Sequence, residues 1–295
     1  MEGIIKAVCI SEKRGTVKKN INEVKVIKDF GLEGDAHAGK WHRQVSFLSA
    51  DIVDEFNEKG ASVIEGDFGE NVLVYGIDFK KLPVGTKLIC NDVKFEVTQI
   101  GKECHSHCEI YKRVGDCIMP REGIFAKVLE GGMIKVGDKI KVIYPDKDMP
   151  YQAAVITLSD KGSRGERVDT SGPKASEILR EHGFEIIEEI LLPDEMAQIK
   201  KELIRLSDSR QVDLIITTGG TGLSPRDCTP EATLAVADRN VPGIAEAIRA
   251  GSMTITKRAM LSRGVSVTRK KTLIINLPGS KKAVEESLSF IIDRL

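Results

Sequence analysis

The segment from Asp213 to Ala232 constrains the fold more than any other part of the chain. An apolar, β-branched run from Leu214 to Thr217 leads directly into the glycine-rich turn Gly219–Gly222, and a charged loop follows the turn. Thr229 is then a good helix N-cap, and Pro230 suits the first helical position. The segment therefore predicts a strand, a glycine turn, a charged loop and a helix in immediate succession.

This segment is also suited to binding an anion. Glycines lack a Cβ, so backbone amides can approach a phosphate closely, and the following helix N-terminus adds positive potential. The turn lacks the spacing of dinucleotide folds and of P-loops, so a tight strand-to-helix connection is the better explanation of the glycines taken alone. Arg226 and Asp227, however, place a cation and a carboxylate beside the turn, as metal-assisted phosphoryl or nucleotidyl transfer requires.

Strand and helix patterns alternate through residues 151–295, which predicts a βαβ sheet flanked by helices, including one helix over residues 243–263. Ligands of open α/β sheets bind beyond the carboxyl ends of the strands, so we expect the polar loops at those ends to line one crevice. The candidate residues on these loops are Ser159, Asp160, Asp169, Ser171, Gly172, Asp194, Gly219, Gly220, Thr221, Gly222, Arg226, Asp227, Glu231, Asn276, Pro278, Gly279, Ser280 and Lys281.

Two of these residues are candidate metal ligands. Asp194 and Asp227 are short carboxylates on separate loops, and Mg²⁺ is commonly held by one or two carboxylates plus substrate phosphates. Taken singly, each residue is better explained by a structural role, Asp194 as an exposed N-cap and Asp227 as a turn former. Ser280 with Lys281 could bind phosphate or form a solvated helix start. Asp160, Asp169 and Ser171 could hold a polar heterocycle, or could satisfy turns, with Ser171 capping a helix.

Residues 1–145 show a different pattern, with short strands separated by turns. The strands and one helix over residues 49–59, capped by Ser49, predict a mostly-β domain in the form of a barrel. The loop from Gly34 to Gln44 contains His37 and Arg43 and is either a long surface loop or a loop that binds anions and rings.

The cysteines of this half offer a second candidate site. Cys104 and Cys108 flank two histidines, and Cys117 follows shortly after them. Structural zinc sites usually draw on two separated ligand pairs, so we regard a closed zinc site as the minority interpretation. A thiolate activated by a neighbouring histidine or arginine is favoured, and an inert buried thiol remains an alternative.

Composition limits the classes of function. At 295 residues the chain suggests two domains, and a composition break predicts a linker at residues 146–150, between domains 1–145 and 151–295. Basic and acidic residues number 44 each and both halves are close to neutral, which disfavours a nucleic-acid partner. The sequence contains no long apolar run and no N-terminal signal pattern, so we expect a cytoplasmic protein without a membrane partner.

The first half resembles the MOSC domain, a β-rich module associated with molybdenum-cofactor sulfurases. The resemblance rests on GDAHAG from Gly34, RQVSFLS from Arg43, GDFGENVLV from Gly66, VTQIGKEC from Val97 and GDCIMPREGIFAKVLEGG from Gly115. It implies sulfur transfer or binding of the metal-pterin through one cysteine. Cys104 is the first candidate by its position, with Cys108 or Cys117 in reserve, and His37 and Arg43 are candidates for pterin binding.

The second half resembles the three-layer α/β molybdopterin-binding fold of the MogA/MoaB family, and within it molybdopterin adenylyltransferase. The matching stretches are TLSDKGSRGERVDTSGP from Thr157, LLPDE from Leu191, TTGGTGLSPRDCTPEATLAVADR from Thr217, LSRGVSV from Leu261 and LIINLPGSKKAVEE from Leu273. The resemblance implies that Asp194 and Asp227 serve Mg-ATP-dependent adenylylation of molybdopterin. It also implies a homotrimer formed through this half.

Three functional hypotheses follow. The favoured one is an enzyme of molybdenum cofactor biosynthesis that adenylylates molybdopterin, with Mg²⁺ at Asp227 and Asp194 and with the amides of Gly219–Gly222 holding the anion. Possible partners are other proteins of cofactor biosynthesis. The alternative is a non-catalytic carrier of molybdopterin, the molybdenum cofactor or sulfur. A nucleic-acid or regulatory module is disfavoured by the neutral charge of both halves.

Overall fold

The computed structural model describes residues 1–102, 111, 116–146 and 148–295. The chain divides into two compact units, Met1–Lys147 and Asp148–Leu295. Within the described ranges, no helix is long and apolar enough to cross a membrane.

The first unit is mostly β. Its strands are β1 (Glu2–Ile10), β2 (Lys19–Asn20), β3 (Glu23–Ile27), β4 (Gly31–Leu32), β5 (Val45–Ser49), β6 (Val72–Tyr75), β7 (Lys87–Cys90), β8 (Val93–Ile100), β9 (Ile124–Glu130), β10 (Gly132–Lys135) and β11 (Lys139–Ile143). Its described helices are α1 (Ala50–Glu58), the short α2 (Met119–Glu122) and a 3₁₀ turn at Phe79–Lys81.

Seven of these strands close into a barrel. The sheet runs in the order β11-β7-β8-β9-β5-β6-β1, and β1 pairs back with β11. These pairings are antiparallel except for β5 with β6, which are parallel. Phe47 lies at the centre of the barrel core, with ring centroids 5.1 Å from Phe95 and 5.7 Å from Phe79. The predicted mostly-β barrel is confirmed.

Two details of this unit differ from the sequence-based expectations. Ser49 occupies the N-cap position of α1 but makes no capping hydrogen bond, because its hydroxyl donates to the Asp51 carboxylate at 3.3 Å. The sequence indicates strand β9 only weakly, because Ala126, Lys127, Leu129 and Glu130 are good helix formers, even though its buried residues alternate with more exposed ones. Its pairing with β5 and β8 is set by distant residues.

The second unit alternates strands and helices. Its strands are β12 (Gln152–Leu158), β13 (Glu185–Leu192), β14 (Leu214–Thr218), β15 (Arg239–Asn240), β16 (Ser266–Arg269) and β17 (Thr272–Leu277). Its helices are α3 (Asp160–Ser163), α4 (Ser171–Glu181), α5 (Met196–Ile204), α6 (Thr229–Leu234), α7 (Pro242–Met253) and α8 (Lys281–Ser289). A π turn at Arg205–Ser209 extends α5, and 3₁₀ turns lie at Lys257–Leu261 and Ile292–Arg294.

These elements form three layers. The sheet order is β13-β12-β14-β17-β16-β15. The first four strands are parallel, β16 pairs antiparallel with β17, and β15 pairs antiparallel with β16. Helices α4, α7 and α8 pack on one face, and α5 and α6 pack on the other. The predicted α/β three-layer fold is therefore confirmed, and the parallel strands bring their carboxyl ends to one edge.

The long helix expected over residues 243–263 is wrong at its C-terminal end. Helix α7 ends at Met253, and the separate 3₁₀ turn Lys257–Leu261 follows. The intervening Thr254 donates its hydroxyl to the carbonyl of Gly251 at 2.7 Å. β-Branched Thr254, Ile255 and Thr256 are poor helix formers, which explains why the helix stops here.

Candidate active site

A cavity of about 410 Å³ lies at the carboxyl ends of the parallel strands of the second unit. All four loops that the sequence grouped together border it, namely those after β12, β13, β14 and β17. Eleven of the candidate residues line it: Ser159, Asp169, Ser171, Asp194, Gly219, Gly220, Thr221, Gly222, Asp227, Gly279 and Ser280.

The other candidates do not line the cavity. These are Asp160, Gly172, Arg226, Glu231, Asn276, Pro278 and Lys281. Sequence reasoning missed six lining residues: Thr157, Leu158, Gly162, Arg167, Val168 and Thr170. Apart from Arg167, these are uncharged residues without a motif of their own, and only their neighbours in the TLSDKGSRGERVDTSGP stretch could have pointed to them.

The glycine turn packs directly against both candidate carboxylates. Gly219 and Gly220 have φ of 101° and 63°, which favour glycine. A Cβ on Gly220 would lie 2.2 Å from Thr229 Oγ1 and 3.0 Å from Asp194 Oδ1. A Cβ on Gly222 would lie 2.9 Å from Asp227 Oδ2. The turn is therefore glycine-rich because the two carboxylates lie against its backbone.

The hydrogen bonds of the turn correct two expectations. The amide of Gly219 donates to the Leu277 carbonyl at 3.1 Å, so it is not available to an anion. The amides of Gly220, Thr221 and Gly222 remain as candidates. Thr229 is the first residue of α6 rather than its N-cap. Its hydroxyl donates to the Gly219 carbonyl at 3.0 Å instead of capping the helix. Thr229 thus fixes the turn instead of the helix end.

Arg263, which the sequence did not single out, holds the other side of the turn. Its backbone amide donates to the Thr221 carbonyl at 3.0 Å, and its Nε donates to the Gly222 carbonyl at 2.6 Å. One terminal nitrogen donates to the Asp227 carbonyl at 2.6 Å, and the other pairs with Glu231. Glu231 therefore stabilises the turn by pairing with Arg263, and it does not line the cavity.

Asp194 is held by reciprocal hydrogen bonds with Asp160. The Asp160 amide donates to Asp194 Oδ2 at 3.1 Å, and the Asp194 amide donates to Asp160 Oδ1 at 3.0 Å. Arg226 then binds both carboxylate oxygens of Asp160, at 3.0 and 2.9 Å, and Glu195 at 2.9 Å. Arg226 and Asp160 therefore join the loops after β12, β13 and β14, and they do not face the cavity as ligand-binding groups.

Charge is unevenly distributed around these carboxyls. The hydrogen bonds from Arg226 lower the pKa of Asp160, with help from the Asp194 amide. Burial raises the pKa of Asp194, and the negative charges of Asp160 and Asp227 raise it further. The cavity end of this network is thus rich in negative charge, and a cation bound there would reduce the repulsion between the carboxylates.

Asp169 performs the capping that was expected of Ser171. Asp169 Oδ1 accepts hydrogen bonds from the amides of Ser171 and Gly172, at 2.9 and 3.1 Å, at the start of α4. The Ser171 hydroxyl donates to Asp169 Oδ1 at 3.0 Å and accepts from Thr218 Oγ1 at 2.8 Å. A Cβ on Gly172 would lie 2.3 Å from Thr157 Oγ1, so Gly172 allows close packing.

Some residues of the NLPGS stretch pack inside the domain, and others line the cavity. Asn276 is buried within β17, and its amide nitrogen donates to Thr217 Oγ1 at 2.9 Å and to Thr233 Oγ1 at 3.0 Å. Its place in the site is therefore structural. Ser280 lines the cavity and also caps α8, because its hydroxyl accepts from the Ala283 amide at 3.2 Å. Lys281 begins α8 away from the lining.

The donor set at this edge fits Mg²⁺. Asp194 Oδ2 and Asp227 Oδ2 accept backbone amides, the latter that of Ser224 at 3.0 Å, while Oδ1 of each carboxylate accepts none in the described part of the chain. Two carboxylates with free oxygens, completed by ligand phosphates, are a common magnesium environment. Among the described residues, no group of three or more histidine, cysteine or acidic side chains could hold a metal by itself.

The structure describes some, though not all, of the candidate residues of the first unit. The guanidinium of Arg43 lies 4.6 Å from the Trp41 ring centroid and 5.5 Å from that of Phe125. His37 Nδ1 lies 3.8 Å from Asp35 Oδ1. Cys117 is 7% exposed and packs in an apolar cluster, as an inert thiol would. Cys104 and Cys108 lie outside the described residues, as do the histidines between them.

Asp35, close to His37, belongs to a buried polar network that the sequence did not reveal. Lys18 Nζ donates to Asp35 Oδ2 at 2.7 Å, with both side chains almost fully buried. Ser11 and Asn71 donate to the same carboxylate at 3.0 and 3.1 Å. Burial opposes the charge of Asp35, but the neighbouring His37 ring, the Lys18 ammonium and the Ser11 amide together lower its pKa. The network attaches the GDAHAG loop to the barrel.

Both halves match known families. Residues 154–295 match the family described as "Probable molybdopterin binding domain", and residues 34–141 match the MOSC domain. The molybdopterin adenylyltransferase of Escherichia coli K12 is 44% identical over 142 residues, covering 47% of this chain and 72% of that protein. That of Helicobacter pylori J99 is 41% identical over 139 residues, covering 46% and 79%.

Among solved structures, the molybdopterin biosynthesis enzyme MoaB of Thermus thermophilus is 48% identical and has a TM-score of 0.48. The match covers 49% of this chain and 91% of that one. Since the chain covers more than two thirds of the adenylyltransferase relatives at over 40% identity, residues 154–295 place it in the molybdopterin-binding domain family, and residues 34–141 match the MOSC domain.

Proposed function

We propose that the second domain of this chain is a molybdopterin adenylyltransferase of molybdenum cofactor biosynthesis. An oxygen of the terminal phosphate of molybdopterin attacks the α-phosphorus of ATP, the bond from that phosphorus to the bridging oxygen breaks, and pyrophosphate leaves. The relatives of residues 154–295 that carry this name support the proposal.

The strongest support for the proposal is the arrangement of the two carboxylates. Asp194 and Asp227 come from loops after different strands, yet both line one cavity together with the glycine turn. The amides of Gly220, Thr221 and Gly222 are suited to a phosphate, and Arg263 and Thr229 fix the turn that presents them. Such a site acts through positioning and electrostatics, with little covalent chemistry asked of the protein.

Asp194 and Asp227 would hold Mg²⁺, which when bound supplies positive charge to the phosphates. Asp160 orients Asp194 through its amide, and Arg226 holds Asp160 in turn. The chain itself therefore fixes the carboxylate positions before any ligand arrives, and this preorganisation is what makes such a site effective.

The direct test is to incubate the full chain with Mg-ATP and molybdopterin and to measure adenylylated pterin and pyrophosphate. Asp227→Asn should reduce turnover at least about a hundredfold, since it removes a charged ligand of the cation that would stabilise the developing phosphate charge. Asp293→Asn is the matched control, because this exposed carboxylate lies in the C-terminal 3₁₀ turn outside the cavity lining. Native turnover by Asp227→Asn would refute the role given to that residue.

For the first domain we propose handling of sulfur or of the metal-bound pterin through a cysteine. The MOSC match supports it, and the burial of Cys117 leaves Cys104 as the first candidate and Cys108 as the second. The test is to measure labile sulfur on the native chain and on Cys104→Ala and Cys108→Ala. A Cys104→Ala chain that keeps the native amount of labile sulfur would remove that residue from consideration.

We also infer that the second domain assembles as a homotrimer. Support comes from the family resemblance and from exposed apolar residues near the end of α7, which are Met253, Ile255, Met260 and Leu261. Light scattering on the full chain would measure the assembly directly, and a monomer or dimer at micromolar concentration would contradict it.

A further inference from the structure

Three arginines surround the candidate active site, and two of them are engaged with protein groups. Arg226 binds the carboxylates of Asp160 and Glu195. Arg263 binds carbonyl oxygens of the glycine turn and pairs with Glu231. Neither residue borders the cavity. Both therefore hold the protein together around the site, and neither is placed to meet a ligand.

Arg167 is the third arginine, and it borders the cavity from the exposed loop between α3 and α4. In the described part of the chain, no hydrogen bond or ion pair joins its guanidinium to another residue. The adjacent Glu166 is already bound by Arg164 through contacts of 2.7 and 3.2 Å. The positive charge and the donors of Arg167 are thus available to a ligand.

The remaining charges of the cavity wall are negative. Asp169, Asp194 and Asp227 line it, whereas Arg167 is the only lysine or arginine among the described lining residues. Asp169 is occupied by amides at the start of α4. A ligand with several phosphate charges needs positive groups beyond a metal ion at the other two carboxylates. The planar fork of a guanidinium matches phosphate oxygens in geometry and charge.

We propose that Arg167 binds a phosphate group of the ligand in this cavity. The inference rests on the proposed function, and it adds a binding residue that the sequence analysis did not single out. Two sources of the phosphate share this chemistry: the β- and γ-phosphates of ATP, and the terminal phosphate of molybdopterin.

The test compares binding to the native full chain, Arg167→Ala, Arg167→Lys and Lys161→Ala by titration calorimetry with Mg-ATP, AMP and molybdopterin. Lys161 is the matched control, because it lies exposed on the same connection between β12 and α4, outside the lining, and its removal subtracts the same unit charge. A lost charge-assisted hydrogen bond should weaken binding about tenfold or more in Arg167→Ala. Arg167→Lys should recover part of it, and Lys161→Ala should stay within about twofold, because a charge off the wall is screened.

The pattern of losses identifies the source. Weaker Mg-ATP binding with unchanged AMP binding assigns Arg167 to the β- and γ-phosphates, and weaker molybdopterin binding alone assigns it to the pterin phosphate. Equal affinities of native and Arg167→Ala for all three probes would overturn the proposal, as would an equal loss in Lys161→Ala. The proposed function fails separately, if the native chain binds these ligands but forms no pyrophosphate.

Discussion

Two carboxylates, one in each domain, have pKa values that are shifted in opposite directions. In the first domain, Asp35 lies beside His37, is paired with Lys18 and accepts the Ser11 amide, and these contacts lower its pKa against the effect of burial. In the second, Asp194 has the carboxylates of Asp160 and Asp227 as neighbours, and its pKa is raised. A carboxylate whose charge is balanced inside the protein is structural, whereas one left among like charges at a cavity is suited to an external cation.

The largest expected effect is on the stability of the first domain. Lys18→Met would leave the buried Asp35 carboxylate without its cation, which should cost about 3–5 kcal/mol of unfolding free energy. Trp41 is the single tryptophan of the chain and lies in this domain, so its fluorescence during urea unfolding reports on this domain alone. Lys6→Met is the control, because its pair with Asp54 is partly exposed and should be worth less than about 1 kcal/mol. Equal losses in both variants would show that burial of the pair is unimportant.

A second effect concerns Glu70, which is fully buried in the same domain and whose pKa is raised to about 7, chiefly by burial. The folded domain therefore binds more protons than the unfolded chain between about pH 4.5 and 7, so its stability should fall as pH rises through this window. The fall should be on the order of 3 kcal/mol. Glu70→Gln should flatten the profile measured by Trp41 fluorescence, whereas the exposed Glu58→Gln should leave it unchanged. A steep native-like profile in Glu70→Gln would assign the pH dependence to another group.

In the second domain, removal of the Asp194 charge should lower activity without lowering stability. Asp194→Asn removes a charge that its neighbours disfavour, so the thermal midpoint should stay level or rise, while adenylylation falls at least about a hundredfold. Differential scanning calorimetry and pyrophosphate release on the same preparation measure both. A variant that lost stability and activity together would break the contrast with Asp35, because Asp194 would then be structural too.

The extent to which these features follow from sequence depends on how local they are. Asp194 and Asp227 could be predicted because each follows a strand within a short motif, and the parallel sheet brings such loops together. The motif points to Asn276 as a site residue, but Asn276 lies within its strand, where the direction of the side chain is set by the register with β14. The barrel was predictable as a class, yet β9 depends on pairings with distant strands.

Arg263 escaped prediction for the same reason, and it offers the smallest and most discriminating test. It donates to the Gly222 carbonyl from 41 residues away, so no local pattern links the two. Lysine cannot reproduce its several donors, so Arg263→Lys should let the turn shift and lower kcat about tenfold, with KM for ATP changed less. Arg180→Lys is the control, since the ion pair of Arg180 with Glu189 joins α4 to β13 outside the cavity lining. A rise in KM for ATP with unchanged kcat would instead mean that Arg263 contributes to ground-state binding, because positioning of the turn for the transition state would then be intact.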